Sequence, residues 1–277
     1  MTLLTTTGAP ILAPEIVGPL VLQPVQAKSI GMRVSQVVQT TSHVFRIPQL
    51  VSDGEGAAWT PEGQEIAPGT PDLNSIDVVP AKLAALTICS RELVQDASKE
   101  ATSVVGQALS NDISAKLDSA FFGSAVQYGP SGIASVVGAH PVTSAFDDLD
   151  GFAEAQSLIE TAGANVTAFI TSPAVALKLA TLKKQDNNIE PLLSNDPSSP
   201  TKRSVYGVPL FVSPYVEADT AWAVDGSRIF VVLHGSVELA VDQSAYFSSD
   251  RIGIRCTLRA GLGFAHPASI ARIAGGS

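Results

Sequence analysis

Residues 50–74 read LVSDGEGAAWTPEGQEIAPGTPDLN. Gly54, Gly56, Pro61, Gly63, Pro68, Gly69 and Pro71 all fall inside this stretch. Proline removes a backbone donor and glycine brings no side chain to pack, so helix is excluded and a central strand is disfavoured. From residue 51 to 81 the chain carries Asp53, Glu55, Glu62, Glu65, Asp72 and Asp77 and no Lys or Arg, a local charge of −6. Trp59 stands among these acids. Residues 41–47 (TSHVFRI) before the stretch and 75–89 (SIDVVPAKLAALTIC) after it read as strands, so the whole is an extended excursion out and back. A long connection without structure of its own is uncommon in a compact domain and is usually functional or disordered. Two readings stand. One is a solvated loop. The other is an arm that reaches a neighbouring copy, where Trp59 is buried and the acids meet a basic patch.

Downstream, Ser90 is placed to cap a helix, with Glu92 in its first turn. Val94, Ala97, Ala101, Val104, Val105, Ala108, Leu109, Ile113, Leu117, Ala120 and Phe121 then form one apolar stripe, and Gly123 ends it. At about 1.5 Å per residue a helix over 90–122 is about 48 Å long, more than a small domain needs, which suits a spine. Upstream, residues 1–35 mix Pro, Gly and Thr with apolar residues in no sustained period. Ile11, Leu12, Ile16, Val17, Leu20, Val21 and Leu22 are too many to leave in water, so this arm lies against its own body or a neighbour.

Beyond the helix, 129–137 reads as a turn and short strand, 147–162 as a helix with acids at its start, and 166–171 as a strand. Pro173 opens a helix through Leu182, with Lys183 and Lys184 near its C-terminal end, and 185–204 is a polar loop. After residue 205 the period shifts toward two, with strands at 208–212, 228–233, 236–241, 251–259 and 269–273. In 251–259, Ile252, Ile254, Cys256 and Leu258 share one face and Arg251, Arg255 and Arg259 the other. That stripe is either a wall facing DNA or a docking face for acids. Those acids come from the spine (Glu92, Asp96, Glu100) or from a neighbour's loop. The candidate inter-subunit contacts are Trp59, Glu62, Glu65, Lys183, Lys184, Arg251, Arg255 and Arg259.

Composition narrows the function. Of 277 residues 45% are hydrophobic and 16% charged, which excludes a disordered chain. The net charge of −9 argues against a sequence-reading nucleic-acid binder, since those carry a basic excess. Cys89 and Cys256 sit in apolar alternating runs and read as buried free thiols. His43, His140, His234 and His266 lack metal-ligand spacing, and no phosphate loop or Gly-x-Ser-x-Gly turn occurs. Glu62 and Glu65 lie on a Gly/Pro loop, a poor mount for paired carboxylate catalysis. No catalytic, cofactor-binding or metal residue is therefore expected. The N-terminus has no basic region ahead of its apolar residues, and no apolar run is long enough for a membrane helix, so no membrane partner is expected.

The order of parts resembles the tailed-phage major capsid protein family, whose Hong Kong 97-type shell fold is shared with encapsulins. Ala58-Trp59 with Glu62-Gly63 looks like the start of that family's extended loop. Pro80-Ala81-Lys82-Leu83-Ala84 and Ile88-Cys89-Ser90-Arg91-Glu92-Leu93 with Asp96 resemble the approach to its spine helix. Asp118-Ser119-Ala120-Phe121-Phe122 and Gly129-Pro130 with Gly132-Ile133 are similar to its exit. Phe169-Ile170 with Ser172-Pro173 and Tyr206-Gly207-Val208-Pro209-Leu210 look like the inner domain, and Asp250-Arg251, Ile254-Arg255 and Arg259 resemble the closing strands.

The resemblance implies an α+β fold with an N-terminal arm (1–40) and an extended loop (48–82). It implies a peripheral domain (41–47, 83–130 and 227–257) and an axial domain (131–226 and 258–277). It implies a chain that partners itself, as pentamers and hexamers of an icosahedral virion shell around double-stranded DNA, assembled in the host bacterial cytoplasm beside a portal. A separate scaffolding protein or a decoration protein is left open. The fold begins by about residue 36, so the helical scaffolding segment of some relatives is expected to be missing. Some relatives also weld subunits through a loop lysine, an asparagine and a glutamate. Here no lysine lies between 47 and 81, and Asp250 and Thr257 stand where the other two are expected, so a non-covalent shell is implied. Two other readings compete. An encapsulin nanocompartment normally begins with an apolar-acidic helix, which the Pro/Thr-rich arm does not resemble. A small-substrate hydrolase has only the strand–helix module at 147–184 in its favour.

Overall fold

Fourteen residues, Arg251–Phe264, form one strand from which the first sheet is built. The computed structural model describes residues 23–275 apart from 53–58, 65–71, 91, 93–98, 183–202, 236 and 243. In chain order the elements are α1 (Gln23–Lys28), α2 (Ile30–Arg33), β1 (Gln36–Thr40), β2 (Phe45–Ser52), β3 (Asp72–Val78), β4 (Ala81–Ser90) and α3 (Lys99–Phe122). Then come β5 (His140–Thr143), α4 (Asp150–Thr161), β6 (Ala168–Thr171), α5 (Pro173–Thr181), β7 (Arg203–Val205), β8 (Val208–Val212) and β9 (Thr220–Val224). The last are β10 (Ile229–His234), β11 (Glu238–Asp242), β12 (Arg251–Phe264) and β13 (Ile270–Ala274).

In the first sheet β12 pairs antiparallel with β4, β10 and β11, and β1 adds parallel to β10. The alternation read from 251–259 sets its two faces. Ile252, Cys256 and Leu258 are buried with Leu109, Ile113, Leu117 and Phe121 of α3, which recur every fourth residue and so make one helix face. Cys89 and Cys256 are both buried and free, and burial pushes the Cys256 thiol up to about 11. The second sheet has the order β5-β13-β9-β6-β8-β7. Its core is aromatic: Phe146, Phe152 and Phe169 are fully buried, and the last two meet edge to face at 5.1 Å.

The third sheet is the two-stranded ribbon of β2 and β3, which carries the acidic excursion. Its root is packed on its own subunit. Ile47 and Val78 are buried with Val232 and Ala265. A Cβ at Gly261 would lie 2.7 Å from Val78, and one at Gly263 2.6 Å from Ile47, so only glycine lets the ribbon seat this closely on β12.

Several sequence expectations change. The strand expected over 75–89 is two strands, because Pro80 has no amide proton to continue a ladder. The strand expected at 41–47 begins at Phe45, and β1 is a separate strand ending at Thr40. Residues 129–137 hold a 3-10 turn at Ile133–Ser135 in place of a strand. Ser90, the expected cap of the spine, closes β4 opposite Arg251, and Glu92 is already helical; 91 and 93–98, where a capping bond would fall, lie outside the described residues. The described spine, Lys99–Phe122, spans about 36 Å at 1.5 Å per residue. The arm is not irregular throughout. From Gln23 it forms two short helices, and Val25, Met32 and Val34 are buried in the core that α3 shares.

Candidate assembly surfaces

The arginine stripe faces away from the spine. Arg251 and Arg255 are exposed and Arg259 is half-buried on the side of β12 opposite the buried Cys256 and Leu258. Strand register fixes their neighbours. Arg251 lies across from Ser90, Arg255 from Leu86, and Arg259 from Lys82. On the other flank Glu238 opposes Thr257 and Ala240 opposes Arg255. Lys82, His234, Gly235, Glu238, Arg255, Thr257 and Arg259 line a concavity of about 480 Å³. The Arg259 guanidinium comes within 3.3 Å of His43 Nδ1. Two cations directly opposed across a strand pair repel, so Arg259 and Lys82 cost the lone subunit stability. Among the described residues no acid forms an ion pair with Arg251, Arg255 or Arg259.

The spine packs on the far face, and Glu92 is exposed and joins none of the arginines, while Asp96 and the Glu100 side chain lie outside the described residues. Beside the cations the same face shows apolar side chains: Leu86 and Ile88 of β4 are 60% and 41% exposed. Sequence reading missed Lys82, His43, His234, Glu238, Leu86 and Ile88. The alternation of β4 was visible, but which β12 residue each member faces depends on register, which one strand alone does not specify.

Of the ribbon candidates, Trp59 is fully exposed. Glu62 is also exposed, in a turn where the Gln64 N–H donates to the Pro61 carbonyl at 3.2 Å and Gly63 takes a left-handed φ of 81°. Within one subunit the structure does not bring Trp59 or Glu62 to the arginine stripe. Glu65, Lys183 and Lys184 lie outside the described residues. One of the six acids is already matched: Asp77 receives two bonds from Arg46, at 2.7 and 3.0 Å. The Arg46 guanidinium holds the Asp77 carboxyl below the usual carboxylate range.

A structural residue that sequence reading saw only as part of a motif is Asp118. It sits on α3, buried, and accepts hydrogen bonds from Ser29 Oγ at 2.7 Å, Ile30 N at 3.0 Å and Gly31 N at 3.0 Å. It thereby clasps the start of α2 to the spine. Burial raises its carboxyl pKa, against the three donors that pull it down.

Among the described residues no group of three or more His, Cys, Asp or Glu could hold a metal ion, and no helix is long and apolar enough to cross a membrane. A second cleft, about 280 Å³, is walled by Asp147, Asp148, Asp150 and Glu154 at the start of α4. Its acids favour the helix dipole, and Asp148 accepts from the Asp150 N–H at 3.1 Å.

The three-sheet architecture with a spine helix and an outstretched ribbon is the Hong Kong 97-type shell fold. A chain from Microbacterium phage Oxtober96 superposes with a TM-score of 0.71 at 15% identity, covering 90% of this chain and 91% of that one. A chain from Mycobacterium phage Cain gives 0.71 at 16%, covering 90% of each. The capsid of a native gene transfer agent (GTA) particle gives 0.70 at 15%, covering 88% of this chain and 89% of that one. No curated protein matches the chain in sequence at a significant level. The Phage capsid family profile matches residues 8–275, and the chain belongs to that family. It is a structural shell protein and not an enzyme.

Proposed function

We propose that this chain is the major head protein of a tailed bacteriophage, tiling as pentamers and hexamers into a closed icosahedral shell around double-stranded DNA. In this reading the first sheet and α3 form the peripheral domain, and the second sheet with α4 and α5 forms the axial domain. The acidic ribbon of one copy lies over the arginine face of the next. Trp59 meets the Leu86–Ile88 strip, and Glu62 and Glu65 enter the concavity at Lys82, Arg255 and Arg259. Lys183 and Lys184 join the same set of contacts between copies. The observation that carries the proposal is the exposed basic face itself, where Arg259 opposes Lys82 and, among the described residues, no acid forms an ion pair with either.

Charge complementarity supplies direction and register, while the buried tryptophan supplies area. A standard contact buries roughly 1,600 Å² in total, and many weak contacts add when a shell closes, so each stays reversible during assembly. A portal, and a scaffolding or decoration protein where the phage uses one, complete the particle, which is assembled in the host cytoplasm. Deleting residues 54–70 tests the proposal. Soluble, folded subunits that form no closed shells in negative stain are expected; normal particles from the deletion would show that the ribbon is not the clasp.

A further inference from the structure

Among the described residues five that are not glycine have a left-handed backbone: Tyr128 (φ 62°), Phe146 (60°), Tyr206 (50°), Asp219 (51°) and Asp250 (49°). This region is costly for a side chain with a Cβ, and aspartate tolerates it better than a bulky residue does. Phe146 has a visible reason to be there, since its ring is fully buried in the second core. Among the described residues no such reason is found for the two tyrosines. Tyr128 is 90% exposed and Tyr206 is 54% exposed.

Both occupy turn positions that favour glycine or asparagine. Tyr128 is the third residue of the turn 126–129, closed by the Gly129 N–H on the Val126 carbonyl at 2.9 Å and tethered by the Ala125–Ser131 bridge. A positive φ at that position marks the type II turn, which calls for Gly or Asn. Tyr206 and Gly207 join β7 to β8 with φ of 50° and 80°. Two positive values in a two-residue hairpin loop are the requirement of the I′ turn, whose preferred sequences are Asn-Gly and Asp-Gly.

An exposed aromatic ring in a strained turn is selected against twice in a free monomer, once by the backbone and once by water. We infer that Tyr128 and Tyr206 are anchor residues whose rings are buried on a second copy of this chain. The inference rests on the shell reading. At their present exposure the two rings offer about 300 Å² together, a little over a third of the roughly 800 Å² one partner contributes to a standard interface. That is too little to hold a dimer and enough to matter when every turn tip meets a neighbour in a closed lattice. The stiff turns present the rings with little entropy left to lose on contact.

The test uses the full chain with Tyr128→Asn and Tyr206→Asn, singly and together, and Tyr→Phe at each site as control. Two readouts are taken: the denaturant midpoint of unassembled subunits, and particle yield in negative stain. The Asn variants relieve the backbone, so their midpoints stay level or rise, while particle yield falls at least tenfold in the double variant. The Phe variants assemble as wild type does. Wild-type particle yield in the double Asn variant overturns the inference, as does a lowered midpoint, which would give the rings a role inside the subunit. Loss of assembly in the Phe variants would overturn ring burial as the cause. Should the wild-type chain form no particles even when supplied with any scaffolding protein its phage uses, the shell reading itself falls, and this inference with it.

Discussion

Replacing Asp118 with alanine tests how the N-terminal segment is fastened to the spine. The substitution removes the acceptor for Ser29 Oγ, Ile30 N–H and Gly31 N–H, of which the first and third belong to buried residues. A buried donor left without a partner costs about 1–3 kcal/mol, so the loss is about 2–4 kcal/mol once the release of a desolvated carboxylate offsets part of it. The segment could escape that cost only by peeling away. Peeling exposes Val25, Met32 and Val34, each now 6% exposed or less. At roughly 1.5–3 kcal/mol per side chain that costs about 4–9 kcal/mol, so the segment stays docked and carries the unsatisfied donors.

Asparagine keeps one acceptor oxygen but turns an amide N–H₂ toward a donor, which costs about 1–2 kcal/mol. The expected order in urea denaturation of unassembled subunits is therefore wild type, then Asn, then Ala. Because the folded carboxyl pKa is raised above its ordinary 3.8, the folded state holds the proton more tightly. The stability this adds is complete below 3.8 and is lost as pH rises through the raised value. The gap between wild type and the Asn variant should accordingly narrow from acid to neutral pH. An alanine variant losing less than ~1 kcal/mol, an Asn variant as unstable as Ala, or a gap that widens with pH would refute the reasoning.

Three other outcomes follow from the geometry. Gly263→Ala forces a Cβ to within 2.6 Å of Ile47 and should destabilise the subunit by about 1–3 kcal/mol, with faster proteolysis in the ribbon. Arg259→Glu ends the repulsion with Lys82, so subunit stability by chemical denaturation should hold or rise slightly, while assembly followed by light scattering is lost. Purified particles run on denaturing gels should give monomer without a covalent ladder, because the stretch 47–81 supplies no lysine amine.

The spine, the acidic excursion and the two-faced strand at 251–259 were legible in the sequence because each is a local pattern. The residues of α3 repeat every three to four positions, those of β12 every two, and Gly and Pro mark the ribbon wherever they fall. Short elements were not legible. Strand β9 is buried from Thr220 to Val224, so it has no alternation to detect, and β1 and β5 are too short to show a period.

By itself, then, the sequence determined the family, the two periodicities, the charge of the ribbon and the lack of an amine for welding. All of these are written in consecutive residues. Only the tertiary structure decided which face of β12 the spine covers, that Lys82 stands against Arg259, that Gly261 and Gly263 seat the ribbon root, and that Asp118 clasps Ser29 across the fold. These relations join residues that lie far apart in the chain. Strand register and close packing set them, and no local pattern encodes either one.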